Sequence, residues 1–340
     1  MFGEARLVSE SSGNTLVVRG EEMKLATFQA EGGPRLGLVV DAWVVDPGVE
    51  PRWRGRWPAD LVEFIRRGED AIGLAREVEE WAAGVVAEAR GGEVPALHPL
   101  SEVTLLAPIP RPSKNIFCVG RNYREHVEEG AHVLWGPAKE AGEDRKGWTV
   151  ELPPVPVFFT KAPTAVIGPE APIVRPRATE RLDWECELAV VIGRKGKDIP
   201  PEEAFSYVFG YTIVNDITAR DLQQRHGQWF KGKSCDTFCP MGPWVVLRDD
   251  LGAPPQATLV LRVNGAERQR FHTRQMIFDI PAILSSLSAG MTIEPGDIVA
   301  TGTGAGCGFA MDPPQFLQPG DVVEAEIEGI GVLRNPVIAE

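Results

Sequence analysis

The chain has 340 residues, with 35 Lys+Arg against 48 Asp+Glu for a formal charge of −13, an acidic balance that excludes a broad nucleic-acid surface and suits a divalent cation better. Hydrophobic residues at 43% and charged residues at 24% are ordinary globular values, so wholesale disorder is excluded and the length suggests about two domains. No apolar run approaches the roughly 18 residues of a membrane span, and MFGEARLVSESSGN lacks the basic and apolar regions of a signal peptide. Cys118, Cys186, Cys235, Cys239 and Cys307 form no C-x-x-C pair, and reduced thiols in a cytoplasmic protein are the simplest reading. Glycine (36) and proline (29) make up about a fifth of the chain, which favours many turns and short strands.

In chain order, KLATFQA and LGLVVDAWVVDP, separated by EGGPR, read as a small β-meander or hairpin set. Residues 1–22 read as an N-terminal extension, unless a strand runs through Leu16–Arg19. ADLVEFIRRG and AIGLAREVEEWAAGVVAEAR, within residues 58–90, have helical spacing, with Leu74, Val78, Trp81 and Val85 on one face. GGEVPALHPL and APIPRPSKN supply Gly and Pro without periodicity, as a linker does. The reading is therefore a small N-terminal domain over residues 1–105 and a larger one over 106–340. From Asn115 onward strands dominate: NIFCVG, VPVFFTK, CELAVVIG, FGYTIVND, PMGPWVVL, TLVLRVNG, GDIVATG and DVVEAEIEGIGVLRNPV. Several are nearly continuous apolar runs, as strands covered on both faces are. Short helices are expected over Asn122–Glu129 and about Phe278–Ser288, and no repeat of 20–50 residues is visible.

Glu185 and Glu187 lead into the apolar run LAVVIG, and in a strand residues i and i+2 share a face. Two carboxylates that close repel unless a cation or proton lies between them. Asp216 ends a second apolar run, FGYTIVND. Three acids on a rigid sheet suit a hard cation such as Mg²⁺ or Mn²⁺. The solvated face of an edge strand explains the same E-x-E alternation.

Asn122 with Glu125 resembles a capping box, and a helix starting there puts His126 and Glu129 on one face. A Glu beside a His orients the ring and raises its basicity, as a general base requires, although a surface helix with a stray His fits equally. Gly227–Ser234 matches the G-x-x-x-x-G-K-S phosphate-loop pattern, but no strand feeds Gly227 and no helix opens at Lys233, so the match reads as false. Cys235 and Cys239 lack the second Cys/His pair of a zinc site. TGTGAGCG, from Thr301 to Gly308, follows a strand without meeting the dinucleotide fingerprint; its amides and hydroxyls suit either a small carboxylate or a plain tight turn.

Taken in order, CVGRNYREHVEE, PVFFTKAPTAVIGP, DWECELAVVIGR, GYTIVNDITARDLQ, QWFKGKSCDTFCPMGPWVV, FDIPAILSSLSAGMTIEPGDIVATGTGAG and LQPGDVVEAEIEGIGVLRNPV resemble the fumarylacetoacetate hydrolase family over about residues 115–337. The resemblance implies a mostly β (α+β) fold, with a mixed β-sandwich or β-roll catalytic domain beside a small N-terminal α/β domain. It also implies a homodimer and Mg²⁺ or Mn²⁺, with Ca²⁺ as a stand-in in crystals. Carried over by residue, Glu185, Glu187 and Asp216 are the metal ligands, and His126 and Glu129 the pair that activates water. Lys233 completes the catalytic set, while Arg220, Gln223, Thr303 and Lys161 contact the substrate.

Two departures stand out. TGTGAGCG replaces the TGTP and later Val common in relatives, so Gly304 and Cys307 loosen or widen that wall. Residues 130–150 are longer than the usual connection and alter the cover over the site. The resemblance implies hydrolytic C–C cleavage of a 2,4-dioxo acid, a small-molecule substrate. Isomerisation or decarboxylation of an oxo diacid on the same metal, a ureidoglycolate-cleaving role, and a non-catalytic β-domain with a structural ion are the alternatives.

Overall fold

The computed structural model describes residues 22–88, 94–134 and 151–340. The expected extension over residues 1–22, except Glu22, and most of the long 130–150 connection lie outside the described residues. The EGGPR turn joins two strands as its composition requires: β1 (Lys24–Ala30) and β2 (Gly33–Val40) form an antiparallel hairpin, extended by β3 (Trp43–Val45). Helix α1 (Leu61–Arg67) starts at Asp60, whose carboxylate accepts from the Glu63 amide at 2.7 Å. In α2 (Glu69–Glu88), the expected face is found: Leu74 and Val78 are buried, Val85 is half-buried, and Trp81 meets Trp53 edge-on at 5.1 Å.

The stretch read as a linker is instead stitched to this hairpin. β4 (Leu97–Pro99) pairs with β3, the Leu106 amide donates to Thr27, and the Thr27 hydroxyl donates to the Pro108 carbonyl at 2.7 Å. A three-residue strand ending in Pro is too short to show alternation, so the sequence reads as linker where the backbone is paired.

Beyond it follow β5 (Ile116–Gly120), α3 (Arg124–Leu134), β6 (Val157–Lys161), β7 (Val166–Ile167), β8 (Ile173–Arg175), β9 (Leu182–Asp183) and β10 (Cys186–Ile192). Next come β11 (Val208–Asn215), β12 (Thr218–Ala219), α4 (Arg220–His226), α5 (Phe230–Lys233) and β13 (Cys239–Leu247). The chain closes with β14 (Thr258–Val263), β15 (Ala266–His272), a helix over Ile280–Ser288, β16 (Ile298–Ala300), β17 (Val322–Ile327) and β18 (Gly331–Ala339). The larger sheet runs β4-β3-β2-β1-β13-β11-β10-β16-β5-β6, with β7 also on β13, and it is mixed because β16 pairs parallel to β5. A second sheet, β15-β14-β17-β18-β8, packs across β10, β11 and β13. The fold is thus a mostly β, α+β mixed sandwich.

Every residue of β10 and β11 is buried, which is why both read as unbroken apolar runs. Each fully buried Val, Leu or Ile there contributes about 1.5–3 kcal/mol. Their antiparallel register sets Cys186 opposite Asn215, and the Asp216 amide donates to the Glu185 carbonyl at 2.8 Å. The start of one strand and the end of its neighbour therefore meet at one end of the central sheet. The edge-strand reading of E-x-E fails on the same observation: β10 lies between β11 and β16, and Glu185 and Glu187 are 5% and 1% exposed.

Candidate active site

At that sheet end, carboxylate oxygens of Glu185, Glu187 and Asp216 lie within 4.8 Å of one another, all buried. Two ammonium groups and a guanidinium surround them. Lys233 Nζ is 2.7 Å from both Glu185 Oε2 and Asp216 Oδ2, and Lys161 Nζ donates to Asp216 Oδ1 and to the Ile217 carbonyl. Arg220 Nη2 is 2.7 Å from Glu185 Oε1 but off the hydrogen-bond direction, so it acts as a charge neighbour, while its Nε donates to Asp183 Oδ2 at 2.8 Å.

The three acids feel this differently. Burial opposes ionisation of Glu185, but Lys233 and Arg220 outweigh it and hold the carboxyl well below its usual range. Glu187 is pushed well above that range by burial and by Asp216 and Glu185 beside it, and the Gly302 amide, donating at 2.8 Å, offsets this only in part. Burial disfavours the Lys233 ammonium, yet Asp216 and Glu185 raise its pKa overall. A trio of buried oxygens, one of them short of positive charge, fits a hard divalent cation.

Over the trio opens a cavity of about 440 Å³. His126, Arg220, Gln223, Lys233 and Thr303 line it, together with Glu185 and Glu187. Lys161 and Asp216 are fully buried and are not among the lining residues, and Lys161, expected against the substrate, donates to Asp216.

His126 and Glu129 sit on α3 as the i, i+3 spacing requires, with His126 Nδ1 at 2.8 Å from Glu129 Oε1. The other carboxylate oxygen of Glu129 accepts from the Gly306 amide at 2.8 Å, which ties the pair to the glycine loop. The expected Asn122 capping box is not formed. α3 begins two residues later, and Asn122 is spent on the chain around it, donating to Phe278 and Thr301 carbonyls and accepting from the Phe278 amide. A buried Asn satisfies long-range backbone groups here rather than its own helix.

Gly227 follows α4 rather than a strand, in line with the rejected phosphate-loop match. Among the described residues, neither Cys235 nor Cys239 belongs to a group able to hold a metal, and burial pushes the Cys239 thiol up to about 12.

Residues 115–338 match the family described as fumarylacetoacetate (FAA) hydrolase C-terminal. The chain belongs to the fumarylacetoacetate hydrolase family. Oxaloacetate tautomerase YisK of Bacillus subtilis (strain 168) is 45% identical over 282 residues, covering 82% of this chain and 87% of that protein. Fumarylacetoacetate hydrolase from psychrophilic Exiguobacterium antarcticum superposes with a TM-score of 0.71 at 39% identity, over 94% of this chain and 100% of that one. A 2-hydroxyhepta-2,4-diene-1,7-dioate isomerase from Mycobacterium marinum gives 0.65 at 31% identity, over 94% and 99%.

Other residues shape the site of this family member without having stood out in the sequence. Asp183 accepts from the Gly308 and Phe309 amides as well as from Arg220, so one buried carboxylate joins the glycine loop to α4. Phe309 then covers the Arg220 guanidinium, with Cζ 4.3 Å from the ring centre. Gln269, on β15, donates to the Thr303 hydroxyl at 2.9 Å and to the Gly304 carbonyl at 3.0 Å. Its strand reads as polar and carries no apolar pattern; the signal that finds it is Asn264-Gly265, both at positive φ, a hairpin turn that demands a following strand.

Proposed function

We propose that this protein interconverts the keto and enol forms of a 2-oxo dicarboxylic acid, with Mg²⁺ or Mn²⁺ held by Glu185, Glu187 and Asp216. The observation that carries the reading is a cavity lined by His126, whose ring Glu129 holds, and by Glu185 and Glu187, with Asp216 buried beside them. The relative that is 45% identical is named an oxaloacetate tautomerase, and one solved neighbour is named a dienedioate isomerase. These names favour isomerisation over the hydrolysis that the sequence resemblance put first.

A bound divalent ion would supply Lewis-acid stabilisation of negative charge on the 2-oxo oxygen. Glu129, hydrogen-bonded to Nδ1, fixes the imidazole tautomer and leaves Nε2 as the basic nitrogen. Nε2 takes the proton from C3 of the keto form, and the oxygen at C2 gains one from water to give the enol; the reverse path restores the ketone. Lys233 keeps Glu185 ionised, donates to Asp216 as well, and adds a fixed positive charge beside the developing enolate. Arg220, Gln223 and Thr303 orient the carboxylates, and Lys161 secures Asp216. No attacking water is needed.

The same reading takes the chain as a small N-terminal unit over residues 1–105 beside a catalytic unit over 106–340, working as a cytoplasmic homodimer. Light scattering of the purified protein checks the assembly. The reaction is tested by adding enol oxaloacetate to the Mg²⁺-loaded protein and following loss of enol absorbance, with an acylpyruvate assayed in parallel. Accelerated ketonisation without carbon–carbon cleavage is the expected result. Cleavage of the acylpyruvate with no effect on the enol would return the reading to hydrolysis, the activity named for the Exiguobacterium neighbour.

A further inference from the structure

Cys307 lies on the glycine loop where it faces the His–Glu pair rather than solvent. Its sulfur is 3.7 Å from His126 Nδ1 and 3.7 Å from Gln269 Nε2, and the residue is fully buried. The loop leaves little freedom there. Gly306 has φ +101, and a Cβ at that position would fall 2.1 Å from the Arg268 carbonyl oxygen. On the other side, the Gly308 and Phe309 amides are pinned to Asp183. The thiol is therefore presented at a fixed point, across from an imidazole nitrogen, with Glu185 on the third side.

One ligand atom from each of His126, Glu185 and Cys307 lies within 4.8 Å of the other two. A tetrahedral zinc ion, with Zn–S near 2.3 Å and Zn–N near 2.0–2.1 Å, places sulfur and nitrogen about 3.5 Å apart. The observed 3.7 Å between Sγ and Nδ1 is close to that edge. This donor set differs in kind from the neighbouring trio. Three carboxylates are hard and suit Mg²⁺ or Mn²⁺, whereas sulfur, imidazole and one carboxylate suit a softer ion. The surroundings of the three donors are rich in carboxylates: Glu129 lies 2.8 Å from His126 Nδ1, and Asp183 and Asp216 pair with Arg220 and with Lys161 and Lys233 beside Glu185.

We propose that His126, Glu185 and Cys307 form a second metal site, selective for Zn²⁺ over Mg²⁺, that silences the active site when it fills. Coordination draws Nδ1 away from Glu129, the partner that holds the imidazole tautomer, and the Cys307 proton passes to solvent as the sulfur binds. Glu185 belongs to both sites, so the two ions compete for it. A thiol at position 307 thus gives the enzyme a sensitivity to zinc that an aliphatic side chain there would not.

The test is a Co²⁺ titration of the metal-stripped protein, because Co²⁺ takes zinc positions and its bond to sulfur absorbs in the near ultraviolet. The sulfur-to-cobalt band should appear in the wild type and be lost in both Cys307→Ser and Cys307→Val. Ser matches the thiol in size, and a thermal melt without metal establishes that each variant is folded. No band in the wild type at saturating cobalt, or a band that persists in the folded variants, overturns the site. This readout does not depend on which reaction the enzyme performs. In a turnover assay, Zn²⁺ should inhibit the wild type at concentrations at least about tenfold lower than those needed for Cys307→Ser, a 1.4 kcal/mol difference in binding. Equal sensitivity overturns the silencing role.

Discussion

Lys233 donates to Glu185 and Asp216 at once, so its removal leaves two buried carboxylates facing each other without that ammonium. Lys233→Met should cost about 3–5 kcal/mol of stability in the metal-free protein, the usual penalty for breaking a buried ion pair from one side, as measured by urea unfolding. Added Mg²⁺ should recover much of that loss, since the ion replaces the missing charge. His126→Ala should lower turnover by about 10²–10⁴-fold, the typical contribution of a general base, while Mg²⁺ affinity by calorimetry stays unchanged. Retained turnover would remove His126 from the chemistry. At this scale Glu185, Glu187 and Asp216 were legible because period-2 alternation puts the first two on one face. Their burial was not, since alternation is the same at an edge and at a centre; only the pairing partners of β10 decide it. Asp183 stayed hidden for a related reason, as its partners come from residues 220, 308 and 309 and no local pattern reaches that far.

At the level of elements, α4 carries Arg220 and Gln223 and is fastened at its first turn by Asp221. Burial opposes ionisation of this carboxyl, but Thr179 and the amides of Glu180 and Leu222 outweigh it and hold its pKa below the usual value. A depressed carboxylate adds stability that is fully present above its unfolded pKa and is lost as pH falls through the folded pKa. Asp221→Asn should therefore destabilise by about 1 kcal/mol at neutral pH, and the gap from wild type should close in steps taken below about pH 3.9. A gap that stays constant into acid would mean that the charge contributes nothing. The glycine loop gives a second check. Gly306→Ala places a Cβ against the Arg268 carbonyl and frees the amide that holds Glu129, so kcat should fall together with stability, the strain alone amounting to about 1–3 kcal/mol. The apolar strands and the helices over Leu61–Arg67, Glu69–Glu88 and Ile280–Ser288 are plain in the sequence, whereas β4, β15 and α5 are not, because β4 is three residues long, β15 is polar along most of its length and α5 is a single turn.

For the whole molecule, the two sheets bring together groups far apart in the chain, with His126 on α3, Glu185 on the approach to β10 and Lys233 on α5. An ion at the trio ties the start of β10 to the end of β11, so its affinity becomes folding stability. A chelator should lower the melting temperature, and Mg²⁺ at a hundred times its Kd should restore about 2.7 kcal/mol. An unchanged melt with and without chelator would argue against a resident ion. The order of the larger sheet has a practical outcome for anyone shortening the protein. β1 lies against β13, with Lys24 and Leu25 opposite Val246 and Val245, so the first hairpin shields backbone of a strand from the molecular interior. A fragment begun at residue 106 would present that valine pair as a bare rim. Such rims recruit further copies edge to edge, and the truncated product should come out of expression as clumps rather than as a tidy catalytic half.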